Sequence, residues 1–255
     1  MKAEEKRLEQ PAKIAPHPTL TEFYSAPAER ARFVGDLFDR AAIDYDWMSG
    51  ALSFGTDRAY RRRALKQAGL KPGMRVLDVA TGTGLVAQAA LDLGIGADRL
   101  IGLDPSRGML TANRRRHGIS LVQGLGERLP FRDGTFDLVV MGYALRHVED
   151  LGRLFAEFHR VLCGQGRVLV LEISRPSSRL GFRLMRFYLK KLLPFLTRLS
   201  TRRRDSARLM EYYWATIAEC VPPEAILSTL SAAGFELVER RTNARILSEY
   251  FAVKA

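Results

Sequence analysis

Cysteine is nearly absent from this 255-residue chain: only Cys163 and Cys220 are present. Two cysteines cannot build the multi-bridge framework of a small secreted domain, and no Cys/His cluster has metal-ligand spacing. Neither a disulfide scaffold nor a bound metal is expected. Histidine is scarce too, four residues in all, and His17, His117 and His159 read as ordinary surface residues. Long apolar runs are missing; none reaches the roughly 18 residues that argue for a spanning helix. The opening stretch MKAEEKRLEQPAKIAPHPTL lacks the apolar segment of a secretory signal. It reads as a polar, proline-punctuated arm, so residues 1–28 are expected to be flexible. A reducing cytoplasm fits these absences.

Acidic residues are also in deficit, 28 against 40 basic ones, which leaves a formal charge of +12. Such an excess points to nucleic acid, an anionic membrane surface or an acidic substrate as partner. No recognised nucleic-acid-binding module accompanies it, so nucleic acid is not expected. What remains has the length and ordinary apolar content of one elaborated domain, residues 29–255.

The pattern along that domain is α/β. Residues 29–69 read as helical with a break at Ser53-Phe54-Gly55, and Lys71-Pro72-Gly73 is a turn. Short apolar runs then alternate with helical segments: RVLDVA, RLIGLD, ISLVQG, FDLVVMGY and RVLVLEIS. Runs of this kind suit a parallel sheet covered on both faces. After the fifth comes an insertion, residues 175–222, then a helix PEAILSTLSAAG and two closing strands, FELVERR and ILSEYFAVKA. The order predicts a Rossmann-like, seven-stranded, mostly parallel sheet whose last strand is antiparallel, with an N-terminal helical arm and a helical insertion.

One stretch decides the ligand. In VLDVATGTGL, Asp78 stands in an apolar run four residues before Gly82-Thr83-Gly84. Gly82, Gly84 and Ala87 fit a dinucleotide fingerprint, with Asp104 as the ribose acid. A dinucleotide brings pyrophosphate to this loop and helix N-terminus, however, and Asp78 would repel it. S-adenosylmethionine (SAM) brings an ammonium, a ribose and no phosphate. The acid before the loop and the acid after the next strand suit SAM better. The alternative readings are that Asp78 only caps the loop and that Asp104 only caps the helix after Pro105.

Three narrow segments, LFDRAAIDYD, LSFGTDR and ALRHV, stand beside VLDVATGTG, GLDPSRGML and LPFRDGTFD, which many small-molecule methyltransferases share. On these segments the chain, over roughly residues 33–255, resembles the UbiE-type ubiquinone/menaquinone biosynthesis C-methyltransferases, in which the 175–222 insertion forms a substrate lid. The resemblance implies that Thr83 and the Gly82/Gly84 loop, beside Asp78 and Thr81, hold the methionine end of SAM. It gives the ribose to Asp104, followed by Pro105. Three places depart from the family pattern. Leu125-Gly126 replace Asp or Asn then Ala near the adenine, which leaves backbone groups and apolar contact to hold it. Gly142 replaces a small polar residue at the end of the fourth strand, and Thr81 and Leu85 flank the glycines where the family prefers Gly and Asp.

Carbon methylation of a quinol needs a phenolate-like ring, hence a base or a cation that lowers the phenol's pKa. Arg146 and His147, after the fourth strand, stand at the sheet edge where ligands bind in open α/β folds. Arg146 can stabilise an oxyanion but is a poor base; His147, where most of the family has Asn, titrates near neutrality. A buried ion pair for Arg146 and a helix-terminal role for His147 are the structural alternatives. In the pair Tyr45-Asp46 of the arm, the tyrosine would shield the sulfonium, or the pair only packs the helix with Asp46 exposed; Ser53, Gly55 and Arg61 have lesser parts.

The excess charge gathers in the insertion. Arg175 to Arg204 holds ten basic and no acidic residues. Arg179, Arg183, Arg186 and Lys190 fall on one helical stripe, Phe182, Met185, Leu189, Leu192, Leu193 and Leu196 fill much of the rest, and Pro194 should kink or end the helix. Such a segment can lie in an anionic membrane interface at the inner membrane face, or pack as a lid on its own domain. The reading is a SAM-dependent methyltransferase that acts on a quinol-like, lipid-soluble acceptor, with a homodimer left open. N- or O-methylation of a phospholipid or hydrophobic metabolite, and a silent SAM-binding scaffold of a quinone-synthesis complex, are the alternatives.

Overall fold

The computed structural model describes residues 13–53, 55–176, 178–193, 195, 204–243 and 246–255. Seven strands form one sheet in the order β3-β2-β1-β4-β5-β7-β6. They are β1 (Val76–Val79), β2 (Leu100–Asp104), β3 (Ser120–Gln123), β4 (Phe136–Gly142), β5 (Leu162–Ile173), β6 (Phe235–Asn243) and β7 (Leu247–Lys254). The pairings from β3 through β5 are parallel, and β7 runs antiparallel to both its neighbours. This is the topology the alternating pattern predicts. Nine α-helices are described: α1 (Arg30–Ala41), α2 (Tyr45–Ser53), α3 (Asp57–Gln67), α4 (Leu85–Leu91), α5 (Arg107–Arg114), α6 (Leu151–Val161), α7 (Arg179–Phe187), α8 (Arg204–Ala218) and α9 (Pro223–Ala232).

Alternation along the strands sends apolar side chains to both faces. Val76, Leu138, Val140, Leu169 and Leu171 pack with Ala64 and Leu65 of α3 and with Val86, Ala89 and Ala90 of α4. Leu77, Val139, Met141, Val168 and Val170 pack with Leu154, Phe155 and Phe158 of α6 and Ile226 and Leu230 of α9. Each such fully buried large side chain stabilises the fold by about 1.5–3 kcal/mol. Local chemistry fixes the ends: the Asp150 carboxylate accepts from the Gly152 backbone N–H at the start of α6, and Pro223 opens α9.

Three expectations need correction. The fifth strand begins at Leu162, not Arg167: Leu162 pairs with Phe136, Gln165 takes φ +62°, and the ladder resumes at Arg167–Leu138. The residues CGQG, which precede the predicted run, form an excursion inside one strand. The described part of the N-terminal arm does not run free. Leu20 and Tyr24 are buried, the Leu151 N–H donates to Ile14 O at 2.9 Å, and the Val221 N–H donates to Pro16 O at 2.8 Å; residues 1–12 lie outside the described residues. His17 is only 2% exposed, not a surface residue. Its Nδ1 faces Pro18 O at 2.7 Å and its Nε2 faces Arg30 Nη2 at 2.8 Å. Burial, then the Arg30 charge, lowers its pKa to about 4.

The arm and the insertion build a third core together, from Leu20, Tyr24, Val34, Leu37 and Met48 on one side and Leu189, Leu193, Leu209, Tyr212 and Trp214 on the other. They form a helical cap. α7 runs on through a wider turn, Tyr188–Leu192. Pro194, where a kink is expected, and Leu196 lie outside the described residues.

Candidate active site

The carboxyl ends of β1, β2 and β4 meet beneath this cap. After β1 the chain turns sharply, with Gly82 at φ +56° and Gly84 at φ +91°. A Cβ on Gly84 would lie 2.5 Å from His117 Cδ2 and 2.8 Å from Asn113 Oδ1, so glycine is required there twice over. Asn113 holds the loop from α5, its side-chain amide donating to Gly82 O at 3.2 Å.

Asp78 is fully buried. Its Oδ2 accepts from the Thr81 hydroxyl at 2.6 Å, and its Oδ1 has no partner. Burial raises its pKa to about 7 against the opposing pull of the Thr81 hydrogen bond and Arg61. Asp104 accepts from two backbone N–H groups at 2.8 Å, Gly82 on Oδ2 and Ser106 on Oδ1. Burial raises it to about 6, opposed by those two bonds. Ser106, not Asp104, caps α5 by accepting from the Met109 N–H at 3.0 Å. Pro105 is exposed beside it.

Two carboxylates of the arm latch onto this edge. The Thr83 hydroxyl donates to Asp46 Oδ1 at 2.5 Å, and Arg116 pairs with the same carboxylate. Asp39 Oδ1 accepts from the Ser106 hydroxyl at 2.5 Å and the Gly108 N–H at 2.9 Å. Arg61, 4% exposed, pairs with Asp57 at 2.8 Å and lies over the Tyr143 ring. Its guanidinium would stand 2.9 Å from a Cβ added at Gly142. Ser53 bonds back to the Ser49 carbonyl at 2.9 Å, and Gly55 supplies a left-handed turn at φ +75°. Leu125 is exposed, while Gly126 is buried where a Cβ would lie 2.7 Å from Leu154 Cδ1 and 3.0 Å from Val79 Cγ1. The packing of α6 leaves no room for the family's alanine without a shift.

Beyond β4, Arg146 is fully buried. Its Nε donates to Glu172 Oε1 and its Nη1 to the Thr216 hydroxyl of α8, at 2.8 and 2.7 Å. Arg146 therefore pins the lid to β5, the ion-pair alternative that the sequence leaves open, and its Nη2 has no partner. The His147 ring lies in an aromatic cage. It stacks on Tyr212 and Tyr213, with centroids 5.4 and 5.7 Å away, and meets Phe38 edge-on at 5.1 Å. Both ring nitrogens are buried without partners, and burial with the Arg146, Arg30 and His17 charges holds its pKa well below the usual value. A neutral imidazole with so low a pKa is a weak base. Tyr45, half-buried, accepts at its hydroxyl from the Tyr213 hydroxyl at 3.1 Å. Sequence reasoning singled out Asp46 beside Tyr45 but missed Asp39, Asn113, Glu172 and Tyr213 as members of this cluster. The FD pair of the arm carries the signal for Asp39; the others come from α5, β5 and α8.

These groups fit SAM. The orphaned Asp78 oxygen and the buried Arg61 guanidinium match an ammonium and a carboxylate. Each Asp104 oxygen keeps a lone pair for a ribose hydroxyl.

A model of the ubiE/COQ5 methyltransferase family matches residues 26–254. The chain is 33% identical over 218 residues to the ubiquinone/menaquinone biosynthesis C-methyltransferase UbiE of Shewanella frigidimarina, covering 83% of this chain and 86% of that one. It is 35% identical over 227 residues to the demethylmenaquinone methyltransferase of Symbiobacterium thermophilum, covering 82% and 87%. Among solved structures, a SAM-dependent methyltransferase from Thermotoga maritima shares the fold at TM-score 0.61 and 21% identity, over 87% of this chain and 99% of that one. Phosphoethanolamine N-methyltransferase 2 of Haemonchus contortus, solved with SAM, matches at TM-score 0.59 and 17% identity, over 85% and 57%. With the glycine loop, the two buried acids and the strand order in place, the chain belongs to the ubiE/COQ5 methyltransferase family and is a SAM-dependent methyltransferase.

Proposed function

We propose that this enzyme methylates a ring carbon of a quinol-like, lipid-soluble acceptor at a membrane surface. The observation that carries the reading is the aromatic cage of Phe38, His147, Tyr212 and Tyr213, closed by Tyr45 and bordered by the Arg146 cation. The printed names of the Shewanella and Symbiobacterium relatives point the same way.

SAM supplies an electrophilic methyl group when bound. Asp104 would hold its ribose, Asp78 and Arg61 the charged ends of its methionine, and the backbone at Leu125 and Gly126 its adenine. Thr83 and Asp46 tie the arm down over that site. Arg146 has one donor left, Nη2, and a phenolic oxygen that accepts from it loses its proton more readily. His147 is too weak a base to lead; it serves as neutral wall, with solvent taking the proton. A cage of aromatic faces would favour a transfer that neutralises opposite charges. The same walls would fix the position of the ring, and positioning can supply much of the remaining rate.

The lid supports the membrane part. Phe182, Met185, Leu189 and Leu193 pack inward. Leu180, Leu184 and Phe187 form a second apolar ridge facing outward, 69%, 59% and 59% exposed. Arg179, Arg183, Arg186 and Lys190 flank it, all exposed. An apolar ridge with a basic border suits anionic lipid. Among the described residues no helix is long and apolar enough to cross a membrane, so contact would be peripheral. Incubation with methyl-labelled SAM and membrane lipid extract tests the reading. Label should enter a quinone-like lipid when the extract is reduced and not when it is oxidised; label in phospholipid instead would overturn it.

A further inference from the structure

Below the lid lies a cavity of about 500 Å³ that belongs to none of the cofactor residues. Phe182, Ile226 and Tyr250 wall it, Glu172 also lines it, and the exposed Arg175 and Arg179 stand at its mouth. Its size suits a one- or two-ring ligand.

Glu172 gives the cavity its chemistry. The residue is 1% exposed. Oε1 is engaged twice, by Arg146 Nε at 2.8 Å and by the Ile173 N–H at 2.7 Å, while Oε2 is buried with no partner. An unsatisfied buried acceptor destabilises the fold, and more so when charged. A ligand that brings one hydroxyl donor on an otherwise apolar ring removes that cost and fills the walls. A carboxylate-bearing ring end would meet Glu172 as a like charge, and a purely apolar ring would leave Oε2 unpaired. Arg179 at the mouth is also the first residue of α7, next to Leu180 of the outward ridge. The cavity therefore opens beside the surface proposed to touch lipid.

We infer that this cavity is a receiving site for the acceptor's phenolic ring, with the ring hydroxyl donating to Glu172 Oε2. The inference rests on the quinol reading above and extends it by naming a second place, distinct from the cofactor edge, that recognises the ring. Through the Glu172–Arg146 pair its occupant is one residue removed from the aromatic cage.

Two probes differing by one donor test it: 2-naphthol and 2-methoxynaphthalene, titrated by fluorescence into the full chain without SAM. The naphthol should bind at least about tenfold more tightly, the ratio for one hydrogen bond to a charged acceptor. Cys220 lines the cavity and is half-buried. Cys220→Phe should fill the space, leave the Glu172–Arg146 pair intact and lose naphthol binding, with S-adenosylhomocysteine affinity unchanged. In the transfer assay naphthol should compete with the acceptor. Equal binding of the two probes, wild-type naphthol affinity in Cys220→Phe, or binding without competition would each overturn the inference. If naphthol binds selectively but no lipid accepts methyl, the site stands and the quinol reading falls.

Discussion

Replacing Asp104 by alanine is the sharpest perturbation of the cofactor edge. The side chain does two jobs, and they separate by magnitude. Towards the protein it accepts from the Gly82 and Ser106 N–H groups, each at 2.8 Å. Bonds to a charged acceptor contribute about 1.5–3 kcal/mol each. Burial nevertheless raises its pKa from 3.8 to about 6 with both bonds in place, so keeping it ionised in the fold opposes stability at neutral pH. The net stability loss in Asp104→Ala should therefore be smaller than the two bonds alone would suggest. Towards the ligand there is no such offset. Losing one or both ribose hydrogen bonds should weaken S-adenosylhomocysteine binding about ten- to a hundredfold. Calorimetry with S-adenosylhomocysteine and its 2′-deoxy analogue completes the cycle. The wild type should discriminate between them by about tenfold, and the variant should not. Unchanged affinity in Asp104→Ala, or discrimination that survives it, would refute the ribose assignment.

Arg146→Ala leaves the Glu172 carboxylate buried without its cation and unpins α8, so it should destabilise by about 3–5 kcal/mol in denaturant melts; a loss under about 1 kcal/mol would contradict the pin. Asp78 and Asp104 have raised pKa values, about 7 and about 6. The folded chain thus binds more protons than the unfolded one between about pH 4 and 7, and their contribution to unliganded stability falls as pH rises through that window. Asp78→Asn should flatten this fall in thermal melts. SAM affinity should rise from about pH 5.5 to 7, below the α-amino group's own titration near ~8, and the same variant should remove the rise; an unaltered profile counts against an ammonium contact. Changing Arg179, Arg183, Arg186 and Lys190 to Gln should weaken sedimentation with anionic vesicles by up to a few kcal/mol, at ~1 kcal/mol per residue, and leave SAM binding intact. Wild-type protein that stays in the supernatant at low salt would end the membrane reading.

Most of the sheet is legible in the sequence because its strands are short apolar runs between turn residues, and each predicted run lies on an observed strand. The start of β5 at Leu162 is hidden because the small and polar residues of the bulge interrupt its apolar run. The glycine loop, Asp78 and Asp104 are legible for a similar reason: local spacing fixes them. The cap is less so. The arm looks polar and exposed until α8 packs on Leu20 and Tyr24, and burial by a segment so distant in sequence leaves no local periodic mark. In α7 the sequence shows one apolar face, yet Leu180, Leu184 and Phe187 belong to a second. Basic residues flank that ridge, and the basic stripe is what the eye follows. Arg146 and His147 follow β4, where their motif puts them. What the motif does not reveal is that Glu172 and Tyr213 enclose them, since those partners come from β5 and the lid.

The central claim is ring-carbon methylation of a quinol with SAM as donor. The direct measurement is incubation of the purified chain with methyl-labelled SAM and reduced demethylmenaquinol in anionic vesicles, followed by isolation of the lipid and location of the label by NMR. The account predicts one new methyl group on a ring carbon, formed from the reduced acceptor and not from the oxidised quinone. Label on oxygen, or none on the quinol while SAM still binds, would contradict it.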